Sequence, residues 1–239
     1  MIHVPAGAGR RGLVVFDLDG TLLDGYASIG DALGYAMERF GLEPPAPARL
    51  RAMVGHGLER LLEETVGPER AAEGVRLFRE RYPDVAVRLS ELMPDVPAVL
   101  AALARMGWRM AVASNKPAEF SRRILEAKGV SGYFLAIAGP DAATPPKPDP
   151  AMLRGILARA GMPPEEAFVV GDMEVDAELA RAAGCRVALV PGGSRSPEEL
   201  AAVNADVLLA GLRALPEWLE SQWSGGRQAA GRALESDRA

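Results

Sequence analysis

Short runs of consecutive apolar residues alternate along the chain with longer segments whose apolar positions recur every three or four residues. The short runs fall at Leu13 to Phe16, Arg109 to Ala113, Phe134 to Ala138, Phe168 to Val170 and Arg186 to Val190, with a weaker one at Asp206 to Leu209. Runs of this length predict strands. Between them Val96, Val99, Leu100 and Leu103 share one helical face. So do Ile124 and Leu125, then Met152, Leu153, Ile156 and Leu157, then Leu179 and Ala183. Strands alternating with such helices predict an α/β fold built on a parallel sheet.

One spacing breaks the rhythm. The first strand ends near Phe16 and the second begins near Arg109, whereas a single crossover helix needs only about a dozen residues. Within Ala27 to Arg88 three stripes predict helices: Ile29, Leu33, Met37 and Phe40; Leu58, Leu61 and Leu62; and Val75, Leu77, Phe78 and Tyr82. The insert is therefore a small helical unit, with expected hinges at Leu23 to Tyr26 and Glu91 to Asp95. This division assigns 1–22 and 94–220 to the core and 23–93 to the insert. The Gly-, Ser- and charge-rich stretch 221–239 is expected to be a flexible tail or a loosely attached helix, and Met1 to Gly9 to be loose.

Composition narrows the class. Of 239 residues, 49% are hydrophobic, 25% are charged, and Gly and Pro number 26 and 19, which excludes a disordered, collagenous or coiled-coil chain. Cys185 is the lone cysteine, so an internal disulfide and a thiolate zinc site are excluded and a reducing cytoplasm is the expected location. Arg10-Arg11 resembles a twin-arginine signal, but Asp17 and Asp19 interrupt the apolar run that follows. No apolar stretch reaches the roughly eighteen residues of a membrane span. The net charge of -5, with basic residues dispersed, predicts neither nucleic-acid nor membrane partners.

The chemistry concentrates at strand ends. In FDLDGTLLD, Phe16 to Asp24, the alternation of a strand points Asp17 and Asp19 the same way. Their repulsion is relieved by a cation or by a shared proton, unless both are solvated loop residues. Gly20 and Thr21 let the backbone turn close to a ligand. Ser114 and Asn115 end the second strand, ahead of a helix opened by Pro117, where a hydroxyl and amides face an anion or merely cap the helix. Lys147 is held between Pro146 and Pro148, while Asp149 reads as a helix cap followed by Pro150 as first helical residue. Asp172 and Asp176, four apart at a helix start, suit a cap or, with Asp17, the hard oxygen ligands that Mg²⁺ prefers.

These four spaced motifs, over about Leu13 to Pro191, resemble those of the haloacid dehalogenase superfamily in order and context. FDLDGTLLD is similar to its first motif, Ser114-Asn115 to the second, Lys147 in TPPKPDP to the third and GDMEVD, Gly171 to Asp176, to the fourth. The resemblance implies a Rossmann-like parallel sheet core with an inserted small α-helical cap domain. It implies a phosphatase acting on a small phosphorylated metabolite. Asp17 would be the nucleophile, forming an aspartyl-phosphate, and Asp19 the acid and then the base. Mg²⁺ would be held by the Asp17 carboxylate, the Asp19 carbonyl and Asp172, with Asp176 helping from behind. Ser114, the Asn115 amide and Lys147 would stabilise the phosphoryl oxygens.

Within the superfamily the second aspartate, Asp19, speaks against halide release, which needs no acid there. Phosphonate-cleaving relatives use a cap lysine, yet no lysine precedes Lys116. Mutases carry a cap histidine where this chain has Ile29. The cap arrangement and the stretch GHGLERLL resemble the phosphoglycolate phosphatases, making 2-phosphoglycolate the expected substrate, with sugar phosphates, nucleotides and pyrophosphate as alternatives. In VGHGLERLL, the Gly55 and Gly57 amides, His56 and Arg60 are candidate contacts for a second anionic group, against a plain turn with an exposed histidine. A phospho-signalling receiver uses similar residues, but it puts its acceptor on a later strand and has no large insert.

Overall fold

The computed structural model describes residues 11–140 and 144–223. Six parallel strands form the central sheet: β1 (Leu13–Phe16), β4 (Arg109–Ala113), β5 (Phe134–Ala138), β6 (Ala167–Gly171), β7 (Arg186–Leu189) and β8 (Val207–Leu208). Their spatial order is β5-β4-β1-β6-β7-β8. The chain thus builds outward on one side of β1 and then returns to build on the other. Ligands of open α/β sheets sit at such a reversal, beyond the carboxyl ends of the strands. Leu13 to Phe16 align with Arg109 to Val112 on one flank and Ala167 to Val170 on the other, so β1, β4 and β6 end level. That register brings three sequence motifs to one edge.

The central strands β1, β4 and β6 are covered on both faces, which explains why their apolar runs are continuous rather than alternating. Leu13 and Val15 pack on one side against Leu153, Ile156, Val169 and Leu179. Val14 and Phe16 pack on the other with Leu100, Leu103, Ile124 and Phe168. The covering helices are α5 (Val96–Arg105), α6 (Ala118–Ala127), α7 (Ala151–Ala160), α8 (Glu174–Ala183) and the short α9 (Pro197–Ala202).

The long interval after β1 holds α1 (Tyr26–Glu38), α2 (Pro47–Met53), α3 (Leu58–Val66) and α4 (Pro68–Val85). The periodicity marks α1, α3 and α4. It misses α2, whose seven residues bury only Leu50 and so leave no stripe. Both chain crossings into the insert carry a two-residue strand, β2 (Leu23–Asp24) and β3 (Glu91–Leu92), and the two pair antiparallel. Ile29, Leu33, Leu62 and Phe78 of the insert belong to the same buried cluster as Phe16 and Leu100 of the core.

One boundary differs from expectation. Residues 215–223 are helical, with Trp218 edge-on to Phe168 and Trp223 edge-on to Trp108 at 5.5 and 5.4 Å between ring centroids. Residues 221–223 are therefore packed rather than tail-like, because the tryptophans have aromatic partners. The remainder of the expected tail and Met1 to Gly9 lie outside the described residues. Phe16 is fully buried and meets Phe134 edge-on at 6.4 Å. Phe16→Ala is expected to lower stability by about 3–5 kcal/mol, measured as the shift in a urea unfolding curve.

Candidate active site

Asp17 directly follows β1 and still belongs to its ladder, its amide donating to the Val170 carbonyl at 2.8 Å. The chain then turns sharply, with the amides of Leu22 and Leu23 both donating to the Leu18 carbonyl at 2.8 Å. Gly20 makes this turn at φ +93°, and a Cβ there would overlap the Asp172 carboxylate. Only glycine fits both constraints. Thr21 Oγ1 donates to Asp172 Oδ1 at 3.0 Å.

Asp172 follows β6 and lies two residues ahead of α8, so it is a loop residue rather than a helix-face partner of Asp176. Asp176 sits in the first turn of α8 and accepts from the Met173 amide at 3.2 Å, which combines capping with proximity to the site. Ser114 continues β4, its amide donating to Ala138 O at 3.2 Å, and its hydroxyl accepts from the Lys116 amide at 3.3 Å. Asn115 braces the Lys147 loop. Its Oδ1 accepts from the Lys147 amide at 2.7 Å and its Nδ2 donates to Lys147 O at 3.3 Å. The same Nδ2 reaches the insert, donating to Gly55 O at 2.9 Å. Asp149 Oδ1 accepts from the Ala151 amide at 2.8 Å, the expected capping contact, although α7 begins one residue later than expected, after Pro150.

Lys147 Nζ lies 2.7 Å from both Asp17 Oδ1 and Asp176 Oδ1. Asp17, Asp172 and Asp176 each present an oxygen within 4.8 Å of the others. All four side chains are buried. Burial pushes the Asp172 carboxyl well above the usual range, and the Asp17 and Asp176 charges push it further, against hydrogen bonds from Ser194 N and Thr21. Burial likewise raises Asp176, up to about 6, opposed by Lys147. For Lys147 burial disfavours the charge, but Asp17 and Asp176 outweigh it and hold the ammonium firmly protonated. One cation thus faces three carboxylates. Asp172 accepts hydrogen bonds but, among the described residues, pairs with no cation, and the donor set consists of hard oxygens, so the residues present fit a divalent ion such as Mg²⁺.

Asp19 faces the same cavity as Asp17. Its Oδ1 lies 2.7 Å from Lys116 Nζ. Burial raises its carboxyl, and Lys116 works against that rise. Lys116 also sits 5.5 Å from the ring centroid of Tyr82 on α4. Sequence reasoning missed Lys116. The available signal was scarcity, since the chain has only three lysines and two lie here. It also missed Ser194, whose amide donates to Asp172 Oδ2 at 2.7 Å and whose hydroxyl meets Tyr26 Oη at 2.9 Å.

Gly55 and Gly57 line the cavity with Asp17, Asp19, Ser114 and Asn115. His56 and Arg60 lie elsewhere, on a second cavity. His56 Nε2 is 3.4 Å from Glu174 Oε1, and Arg60 pairs with Glu64 at 2.9 Å. Burial, helped by Arg60 nearby, lowers the His56 pKa and favours the neutral ring. The cation of the insert that does line the first cavity is Arg79.

A parallel sheet with carboxylates gathered at its reversal and a lysine between them has the layout of an α/β enzyme site suited to a divalent ion and an anionic substrate. Comparisons agree with this class. The model of the haloacid dehalogenase-like hydrolases matches residues 14–190. A phosphoglycolate phosphatase of Aquifex aeolicus is 36% identical over 181 residues, 76% of this chain and 85% of that protein. One from Cereibacter sphaeroides is 39% identical over 189 residues, 76% of this chain and 86% of that protein. The crystal structure of a predicted phosphatase from Clostridium acetobutylicum superposes with a TM-score of 0.81 at 25% identity, covering 89% of this chain and all of that one. The chain belongs to the haloacid dehalogenase-like hydrolases. It is a phosphoric monoester hydrolase, similar to the phosphoglycolate phosphatases.

Asp172→Asn removes a buried charge without a cation. In EDTA at pH 7.5 the variant is expected to be more stable than the parent by about 1 kcal/mol or more, and Mg²⁺ is expected to raise the Tm of the parent but not that of the variant. Thermal melts with and without Mg²⁺ check both. The same carboxyls make stability fall with pH. Asp172 and Asp176 hold protons in the folded chain above the unfolded carboxylate range, so in EDTA the Asp176 contribution is lost as pH rises from about 4 through about 6, the Asp172 contribution is lost as its own raised carboxyl ionises, and saturating Mg²⁺ is expected to remove that loss.

Proposed function

We propose that the protein hydrolyses small phosphate monoesters by covalent catalysis at Asp17 with Mg²⁺ as cofactor. The observation that carries this reading is the contact of Asp17 with Lys147 inside the cluster formed with Asp172 and Asp176, next to Asp19 on one cavity wall. In the reaction Asp17 attacks phosphorus, the ester oxygen leaves with a proton from Asp19, and the phosphoryl group rests on the Asp17 carboxylate. Asp19 then takes a proton from water, which releases phosphate and restores Asp17. Burial suits Asp19 to the first step, because it favours the protonated carboxyl that an acid requires. Ser114, the Asn115 amide and Lys147 donate to the phosphoryl oxygens as charge shifts among them.

The Asp17 and Asp172 carboxylates and the Asp19 carbonyl would hold the metal, with Asp176 orienting Lys147 behind them. When bound, Mg²⁺ supplies charge that offsets the repulsion between a carboxylate and a phosphate dianion. The helices α1 to α4 act as a cap that excludes water from this chemistry, with hinges where β2 and β3 cross. The relatives' names make 2-phosphoglycolate the first substrate to assay. The protein works in the cytoplasm on soluble metabolites. Among the described residues no helix is long and apolar enough to cross a membrane.

Phosphate release from 2-phosphoglycolate is expected to require Mg²⁺ and to fall at least about 10³-fold in Asp17→Asn, with the fold retained by circular dichroism. Undiminished turnover in that variant would remove Asp17 as nucleophile. Asp19→Asn is expected to cost about 10²-fold or more on an alkyl phosphate and much less on p-nitrophenyl phosphate, whose leaving group needs no proton. Equal losses on the two esters would assign Asp19 another role.

A further inference from the structure

The cavity that opens from Asp17 and Asp19 has two unlike ends. At the reacting end stand Ser114, Asn115 and Lys116. Beyond them the wall is made by Ile29, Leu58, Leu61, Phe78, Tyr82 and Phe120. Tyr82 and Phe120 meet edge-on with ring centroids 5.0 Å apart, and Phe78 stacks on the far side of Tyr82 at the same spacing. The two cations on this wall are both engaged, Lys116 with Asp19 at 2.7 Å and Arg79 with Glu59 at 3.3 Å. A carboxylate on the leaving group would compete with Asp19 for the buried Lys116, and would find Arg79 exposed and already shared with Glu59. An apolar group would only displace water.

We infer that the preferred substrates are phosphate esters of alcohols bearing an apolar, ring-sized group, which the wall formed by the insert and Phe120 receives. The inference rests on the phosphatase reading and narrows it to a substrate class. Ile29, Leu61, Phe78 and Tyr82 are buried behind the wall, while Leu58 and Phe120 are half-buried, and glycolate, with two carbons and a charge, offers that apolar face nothing to cover it. A ring against Phe120, Leu58 and Leu61 removes apolar surface from water on both partners. Selection therefore comes from the leaving group, while Lys147 and Ser114 bind the phosphoryl end common to every substrate.

The test is a calorimetric titration of the full chain in Mg²⁺ with three phosphonates that are not hydrolysed: methylphosphonate, benzylphosphonate and 3-phosphonopropionate, the carbon analogue of 2-phosphoglycolate. Benzylphosphonate is expected to bind about tenfold tighter than methylphosphonate, and tighter than the carboxylate compound. Phe120→Ala is expected to cut that advantage to about threefold or less, and Leu58→Ala, at a half-buried position less important for folding, to reduce it in the same direction. Equal affinity for the benzyl and methyl compounds, tightest binding of 3-phosphonopropionate, or no binding of any of the three overturns the inference. Turnover of benzyl and methyl phosphates is measured alongside. Binding preference without turnover of either ester would overturn the phosphatase reading and leave the pocket assignment standing.

Discussion

Three carboxylates buried around one ammonium form the constraint on which the rest of the structure depends. Asp17, Asp172 and Asp176 approach one another within 4.8 Å, and Lys147 neutralises only part of their charge. Such a cluster is costly in a low-dielectric interior unless a further cation joins it or protons are retained. The fold holds it in place through backbone contacts: the Asp17 amide is fixed on Val170 O, and Asp172 is fixed by Thr21 and the Ser194 amide. The repulsion that would favour a divalent ion is therefore already built into the folded chain.

That cluster sits where it does because of strand register. β1, β4 and β6 end level, so Asp17, Ser114 and Asp172 emerge at one edge although they are distant in sequence. Side chains then tie the edge together. Asn115 joins the Lys147 loop to the strand edge, and Lys116 lies against Asp19 and Tyr82. The insert is bound at several points of the same rim: Arg195 donates to Ala52 O at 3.0 Å and pairs with Glu174, and Arg51 donates to Gly192 O at 3.2 Å.

Much of this was legible in the sequence because it follows from period and punctuation. The strands appear as apolar runs, most continuously at the centre of the sheet where both faces are covered, and the insert is announced by the long gap after Phe16. The carboxylates and Lys147 stand at strand ends and between prolines, which makes them visible. The rest depends on three-dimensional pairing. α2 buries a single leucine and leaves no stripe. Ser194 and Lys116 serve through contacts with residues more than twenty positions away, which no local pattern encodes. His56 sits between glycines that do line the cavity, yet the turn directs its ring toward Glu174. Arg79 reaches the cavity from α4, whose charged face otherwise reads as solvent-exposed.

The Asn115 amide has a further consequence for how this scaffold can be altered. One nitrogen serves both Gly55 O, in the insert, and the carbonyl of Lys147, in the core. Gly55 itself leaves no room for a side chain, since a Cβ there would overlap the Met173 sulfur. An insert grafted from another member of the superfamily would need to present a bare peptide oxygen at that height, or the graft would leave the amide underbonded and loosen the Lys147 loop from a distance. Modularity in this architecture thus depends, among the ties across its seam, on one shared amide.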